Sequence, residues 1–347
     1  MEFFLRNKKE FEISVLTLLA IVLILTFFIS VYIGRYTITP SQLIMAVAGK
    51  ITNVDYTLPD TADTILFKVR LPRIIAAILI GANLATAGAA YQGMFKNPMV
   101  SPDILGASHG AGFGAAVAIL LSSGTAGIQM SSLLFGLGAV LLSYTISKIV
   151  GHGDNTTLTM VLTGMVVSTM FAAFTSMTKY VADTDEKLPA ITFWLMGSLA
   201  SITRKDVLIL LIPTVLGMIP LLLLRWKLNV LAFGDEEAQA MGVDTKKVRS
   251  IIIFSSTLLV ASSVSISGMI GWIGLIVPHI ARQFVGPNYK HLLFASMLVG
   301  GSFLLIVDDV ARNAFSAEIP LGILTALLGA PFFLYLLLKE RRKAKWN

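Results

Sequence analysis

The sequence predicts an all-α membrane protein, a polytopic bundle of about ten transmembrane helices. Three observations carry that reading. Hydrophobic residues make up 55% of the 347 and charged residues only 14%, against about a quarter charged in soluble domains. Ten uncharged or nearly uncharged runs recur along the chain, most of them near the roughly 20 residues that a helix needs to cross hydrocarbon at about 1.5 Å per residue. The Lys and Arg residues between those runs also alternate in density, as they do on the two sides of a membrane.

The runs fall at about 13–34, 74–94, 104–122, 128–147, 157–178, 207–224, 250–267, 269–281, 292–307 and 319–338. The first follows a basic start, like a signal peptide, but it ends in Val31-Tyr32-Ile33-Gly34-Arg35 without a small-x-small cleavage site, so it is expected to stay as a helix. The seventh and eighth form one stretch of 32 residues, Ser250 to Ala281, with no Asp, Glu, Lys or Arg. That is longer than the hydrocarbon is thick. The cluster Gly268, Gly271 and Gly274 is the natural place to divide it, the alternative being one long tilted helix and nine crossings. No linker or compositional break divides the chain, so residues 1–347 read as a single transmembrane domain.

Charge orients this bundle. With the N-terminus in the cytoplasm and ten crossings, 17 of the 27 Lys and Arg fall inside and 10 outside, while the 20 acids divide evenly. The inner face then carries the whole formal charge of +7. Nine crossings would put the basic tail Lys339-Glu340-Arg341-Arg342-Lys343 outside, against the positive-inside rule. Charges this sparse, set between apolar runs, serve as orientation signals rather than as a nucleic-acid surface.

Several chemistries are excluded or disfavoured. There is no cysteine, which removes disulfides, thiolate nucleophiles and Cys-based metal sites, and four His make a metalloenzyme a poor fit. The chain lacks GxxxxGK[ST]; its Gly49-Lys50 pair is followed by Ile51, so it has no phosphate loop of its own for ATP. HExxH and GxSxG are absent as well, which argues against an intramembrane enzyme. A secondary transporter would want carboxylates near the middle of its helices, whereas Asp308 and Asp309 lie near an outer end.

The polar segments offer candidate sites. In the inner loop of about 225–249, three acids at Asp235-Glu236-Glu237 complement a helix dipole, Ala238 and Met241 fall three apart on one face, and Gly242 fits a C-terminal cap. This predicts a short cytoplasmic helix whose small apolar face is open to a partner, or else a plain connector. Two prolines four apart, Pro98 and Pro102, force a turn after Lys96. Gly81, Ala85 and Gly88, and then Gly110 and Gly114, are spaced for close helix packing. His109 and His279 within apolar runs fit hydrogen-bonded core residues, a proton relay or a metal ligand. On the outer side Arg70, Arg73 and Arg312 could form a cationic docking surface, since arginine pairs with carboxylates through two parallel hydrogen bonds. The alternatives are an Arg73 that reaches to lipid head groups and an Arg312 paired along its own helix with Asp308 or Asp309.

Taken together and in order, these segments resemble the FecCD-type permease family of bacterial ABC importers for iron-siderophores, haem and vitamin B12. The resemblance runs through Arg70-Leu71-Pro72-Arg73, Gly81 to Gln92, Asn97 to Gly106 with Gly110-Ala111-Gly112, Phe193 to Leu199, Gly234 to Gly242, Gly271 to His279, Pro320-Leu321-Gly322 and Gly329-Ala330-Pro331. Met99 departs from the usual Leu. It implies ten helices per subunit, a second permease subunit (the same chain or a sister), two cytoplasmic ATPase subunits that bind the ATP and Mg, and an extracytoplasmic binding protein. It further implies that Arg70, Arg73 and Arg312 receive acidic residues of the binding protein. Glu237, Ala238, Met241 and Gly242 would belong to the helix that docks on the ATPase, and Thr156 and Thr157 would form the cytoplasmic gate. No cofactor or metal site is expected in this chain. The implied cargo is an iron-siderophore or related chelate, with haem, cobalamin or an oxyanion as alternatives, and the implied location is the bacterial cytoplasmic membrane.

Overall fold

The computed structural model describes residues 2–36, 39, 41, 42, 45, 60–151 and 156–344; within them the side chains of 2–11, 60, 156, 157, 337 and 339–344 lie outside the description. The described residues are helices joined by short connections, in the order α1 (Glu2–Tyr32), α2 (Asp60–Thr64), α3 (Leu71–Met94), α4 (Ala107–Leu120), α5 (Thr125–Val150), α6 (Thr156–Val181), α7 (Lys187–Met196), α8 (Arg204–Leu223), α9 (Arg225–Leu231), α10 (Asp235–Ala240), α11 (Thr245–Ser267), α12 (Ile273–Val285), α13 (Tyr289–Asn313) and α14 (Leu321–Ala344). Each of the ten apolar runs coincides with one of these helices. Among the described residues seven helices are long and apolar enough to cross a membrane, and Ala107–Leu120, Ile273–Val285 and Leu321–Leu336 are shorter apolar ones.

The stretch from Ser250 to Ala281 is divided as its glycines predict. Helix α11 stops at Ser267, Gly268 takes φ +72°, and the chain restarts at Ile273. A single long helix is ruled out by that left-handed residue, which L side chains other than glycine rarely adopt. The prolines do their expected work too: the chain leaves α3 at Phe95, turns, and makes one 3₁₀ turn, Pro102–Leu105, capped by the Ser101 hydroxyl accepting from the Asp103 N–H.

Helix α3 is the axis of the molecule. An 18-residue window on it is 83% buried, against 11% for α1 at the edge. Its small residues make this possible, because other backbones can come within contact distance on several sides. A side chain on Gly81 would meet the Gly300 carbonyl, and one on Gly300 would meet that of Gly81. Farther along, Gly88 lies against the backbone of Gly274 and Gly93 against the ring of Tyr289. Partner numbers on α13 fall from Asp308 through Gly300 to Tyr289 as those on α3 rise from Arg73 through Gly81 to Gly93, so the two helices are antiparallel. Gly110 and Gly114 serve the hairpin of α4 and α5 in the same way, against the backbone of Phe135 and Ser131. The sequence spacings thus mark packing within one bundle.

Two buried amides tie helices together through hydrogen bonds, which a low-dielectric interior strengthens. Asn83 on α3 donates to the Thr214 hydroxyl of α8 at 2.8 Å and to Ser263 of α11 at 3.3 Å. Gln92 accepts from Arg282 at 2.6 Å and donates to the Leu275 carbonyl at 3.2 Å, tying α3 to α12. Of the ring nitrogens of His109, Nδ1 is buried without a hydrogen-bond partner among the described residues.

Candidate functional site

Two ends of the bundle carry the candidate residues. At one, the start of α3 meets the end of α13 and the end of α1. Helix α3 is entered without a break from α2 through a π-helical stretch, Ile65–Arg70, and this wider turn delivers Arg70 and Arg73 to the bundle interior. The structure brings Arg70, Arg73 and Arg312 together, and all three are buried, at 4%, 6% and 6% exposure. They are therefore not a free cationic surface on this chain.

Each has internal partners. Arg73 holds Asp308 through Nε to Oδ2 and Nη2 to Oδ1, both at 2.9 Å, and grips Glu318 through Nη1 to Oε1 at 3.0 Å and Nη2 to Oε2 at 2.9 Å. Two carboxylates on one guanidinium satisfy its planar donors nearly completely, the geometry that lysine cannot reproduce. Arg312 pairs with Asp309 one turn back and donates to the Ser30 carbonyl at 2.7 Å and hydroxyl at 2.9 Å. Arg70 donates to the Val31 carbonyl at 3.0 Å and to that of Tyr36. The Arg312–Asp309 pair is the intrahelical one that the sequence spacing allows, whereas Arg73 points inward instead of reaching to head groups.

These contacts share one job. The last carbonyls of α1 have no helical partners of their own, and Arg70 and Arg312 supply donors to Val31 and Ser30. Arg35, which the sequence reading passed over, completes the clasp from the other side with 3.0 Å and 2.9 Å bonds to the carbonyls of Arg312 and Phe315. Glu318 is the more accessible of Arg73's two partners, its side chain one third exposed where that of Asp308 is fully buried. Its signal in the sequence was only its position, an acid just ahead of the last apolar run.

At the opposite end, α8 continues through α9 to α10 and into α11. Gly234 precedes α10 with φ +148° and Gly242 follows it with φ +78°, so glycines bracket a helix of six residues. Asp235 is held by Arg249 at 2.7 Å. The predicted face needs correction: Ala238 and Met241 are not presented together. Ala238 is fully buried against its own chain, and its carbonyl accepts from the Val243 N–H at 2.9 Å, whereas Met241 and Phe233 are exposed. A helix of fewer than two turns, capped by a chain reversal, turns Met241 out of the stripe that a longer helix would keep it in. Glu237 and Gly242 are exposed beside it. Thr156 and Thr157 open α6, and their side chains lie outside the described residues. A short helix missed by the sequence reading, α7, stands between α6 and α8; it is amphipathic too weakly and is too short to announce itself. Among the described residues no three of His, Asp or Glu cluster as metal ligands would.

Known proteins are similar to this chain in sequence and in fold. The chain is 42% identical over 324 residues to the molybdate import system permease protein MolB of Haemophilus influenzae, covering 93% of this chain and 95% of that one. It is 37% identical over 346 residues to the Fe(3+)-citrate import system permease protein YfmE of Bacillus subtilis, covering 97% and 98%. A solved structure of a transporter assigned to the metal-chelate type of ABC transporter, in an inward-facing conformation, superposes with a TM-score of 0.84 at 41% identity, covering 94% of this chain and 99% of the other. With the family's sequence model matching residues 22–339 as well, the chain belongs to the FecCD transport family.

Proposed function

We propose that this chain is the permease subunit of a binding-protein-dependent ABC importer and forms, with a second permease subunit, the path for a metal chelate. The observation that carries this reading is the match of nearly the whole chain, fold and sequence together, to a metal-chelate-type ABC transporter. In it the chain is a single transmembrane domain with ten crossings and both termini cytoplasmic; the ten apolar runs, the even count and the 17 inner basic residues support that topology. ATP and Mg belong to the two partner ATPases. Phe233 and Met241, exposed beside α10, are the side chains available to dock there, with Ala238 shaping the helix from within. Thr156 and Thr157 keep their proposed role at the cytoplasmic gate. Iron-siderophore is the first choice of cargo. An oxyanion is the second, favoured by the 42% identity to a molybdate permease.

Reconstitution with the cognate ATPase and binding protein tests the reading. Uptake should require ATP hydrolysis and persist when ion gradients are collapsed; uptake driven by a proton or sodium gradient without ATP would overturn it. The ligand retained by the gently purified binding protein, read by absorption and metal content, separates the cargoes.

Docking at the Arg73 cluster follows a revised route. A carboxylate of the binding protein can reach Arg73 only by taking the place of Glu318, because Asp308 is fully buried. Glu318→Gln should then raise binding-protein affinity in nanodiscs, and the gain should shrink at high salt. Affinity indifferent to both changes would leave these arginines as an internal clasp alone.

A further inference from the structure

One cavity in the bundle has no place in the importer reading. It is a half-open groove of about 440 Å³ between α5 and α11, within the size range of small-ligand clefts. Leu134, Leu141 and Phe254 stand exposed along its walls. Gly138 forms part of its lining, where a Cβ would meet no atom within 4 Å. One end is closed by Tyr144, whose hydroxyl shares a 2.6 Å hydrogen bond with Ser250.

Two cations stand beyond that closed end. Lys148, one turn past Tyr144 on α5, places its Nζ 4.5 Å from the centre of the Tyr144 ring. Lys246, one turn before Ser250 on α11, is exposed. The two helices run in opposite senses past the groove, so Lys148 near the end of α5 and Lys246 near the start of α11 come to the same level. The uncharged runs 128–147 and 250–267 both end at that level. The neighbouring Arg249 is already committed to Asp235.

We propose that this groove is a lipid site, taking one acyl chain of an anionic phospholipid along Leu134, Gly138 and Phe254, with the phosphate held by Lys148 and Lys246. An apolar trough inside the membrane filled only by passing solvent lipid would need no particular head group. Two ammonium groups at the depth of the lipid phosphates give this one a charge preference, and the stacked Tyr144 ring holds the Lys148 chain over the trough's end.

The test uses the full-length permease in mild detergent, with native mass spectrometry during titration by phosphatidylglycerol or by phosphatidylcholine of the same chain length. Basic residues at a membrane surface contribute about fivefold each, so a preference for phosphatidylglycerol of roughly 25-fold is expected. Lys148→Gln with Lys246→Gln should erase the preference. Gly138→Leu, which fills open space rather than displacing the chain, should lower occupancy by both lipids while the protein stays folded. A preference that survives the lysine changes, with occupancy unmoved by Gly138→Leu, would overturn the site. So would a disulfide-linked dimer of Phe254→Cys in this otherwise cysteine-free chain, because the groove would then face a second copy.

Discussion

Helices α1 and α3 are neighbours in sequence order among the long spans and opposites in environment. The more apolar of the two, α1, is 11% buried over its window, and the less apolar α3 is 83% buried. In water this order would be perverse. In lipid it is what physics requires, since the hydrocarbon is as apolar as leucine and gives no reward for hiding leucine among helices. What draws a helix to the centre is the chance of close backbone contact and of partnered polar groups. Helix α3 has both in Gly81, Ala85 and Gly88 and in Asn83 and Gln92, whereas α1 faces outward with Leu18, Ile24, Leu25 and Phe28.

The comparison can be pressed hardest at Gly88. Leucine there would collide with the backbone of Gly274, an atom that no rotamer change can move. Gly88→Leu should cost more than the roughly 1–3 kcal/mol of ordinary overpacking and abolish a stably folded permease, as judged by monodispersity and thermal unfolding in detergent. Recovery of wild-type stability would show that α3 is not held as tightly as its burial suggests.

A smaller effect is expected where α3 is clasped to α13 by charge rather than by backbone contact. Arg73→Ala would leave Asp308 buried without its main partner, at a cost of about 3–5 kcal/mol, and should lower the unfolding temperature clearly. The charge-neutral double change Arg73→Leu with Asp308→Leu should recover much of that loss, because most of it is the penalty of the orphaned charge. Leu18→Ala on α1 is the smallest of the three. It removes a lipid-exposed side chain without opening a cavity, so the change in stability should stay within about 0.5 kcal/mol. A loss of several kcal/mol there would break the contrast between the two helices.

How much of this was legible in the sequence depends on the scale of the interaction. The ten apolar runs and the division at Gly268 were readable because they depend on length and on single residues with strong backbone preferences. The close packing at Gly81, Gly88 and Gly110 was readable as spacing, though not the partner of each glycine. Arg73 and Arg312 were legible as an outer pair of cations. The burial of Arg73 was not, because it is decided by Asp308 and Glu318 across 235 and 245 residues of sequence separation. Ala238 was placed on the right helix but on the wrong side of it, since a helix of six residues has no periodicity to reveal its face. The clasp of Arg35 on α13 left no trace at all, as it consists of bonds to backbone carbonyls that every residue offers.

The reciprocal contact of Gly81 and Gly300 has a consequence for how such a chain can change over time. Each glycine's missing side chain is filled by the other's carbonyl oxygen. A substitution at either site therefore meets backbone, which no second mutation at the other site can trim away. Neighbouring residues in most cores can drift as compensating large-to-small pairs, but this pair has no such exchange open to it. The two positions can leave glycine only if the axes of α3 and α13 move apart, and every contact along both helices would have to be renegotiated in the same step.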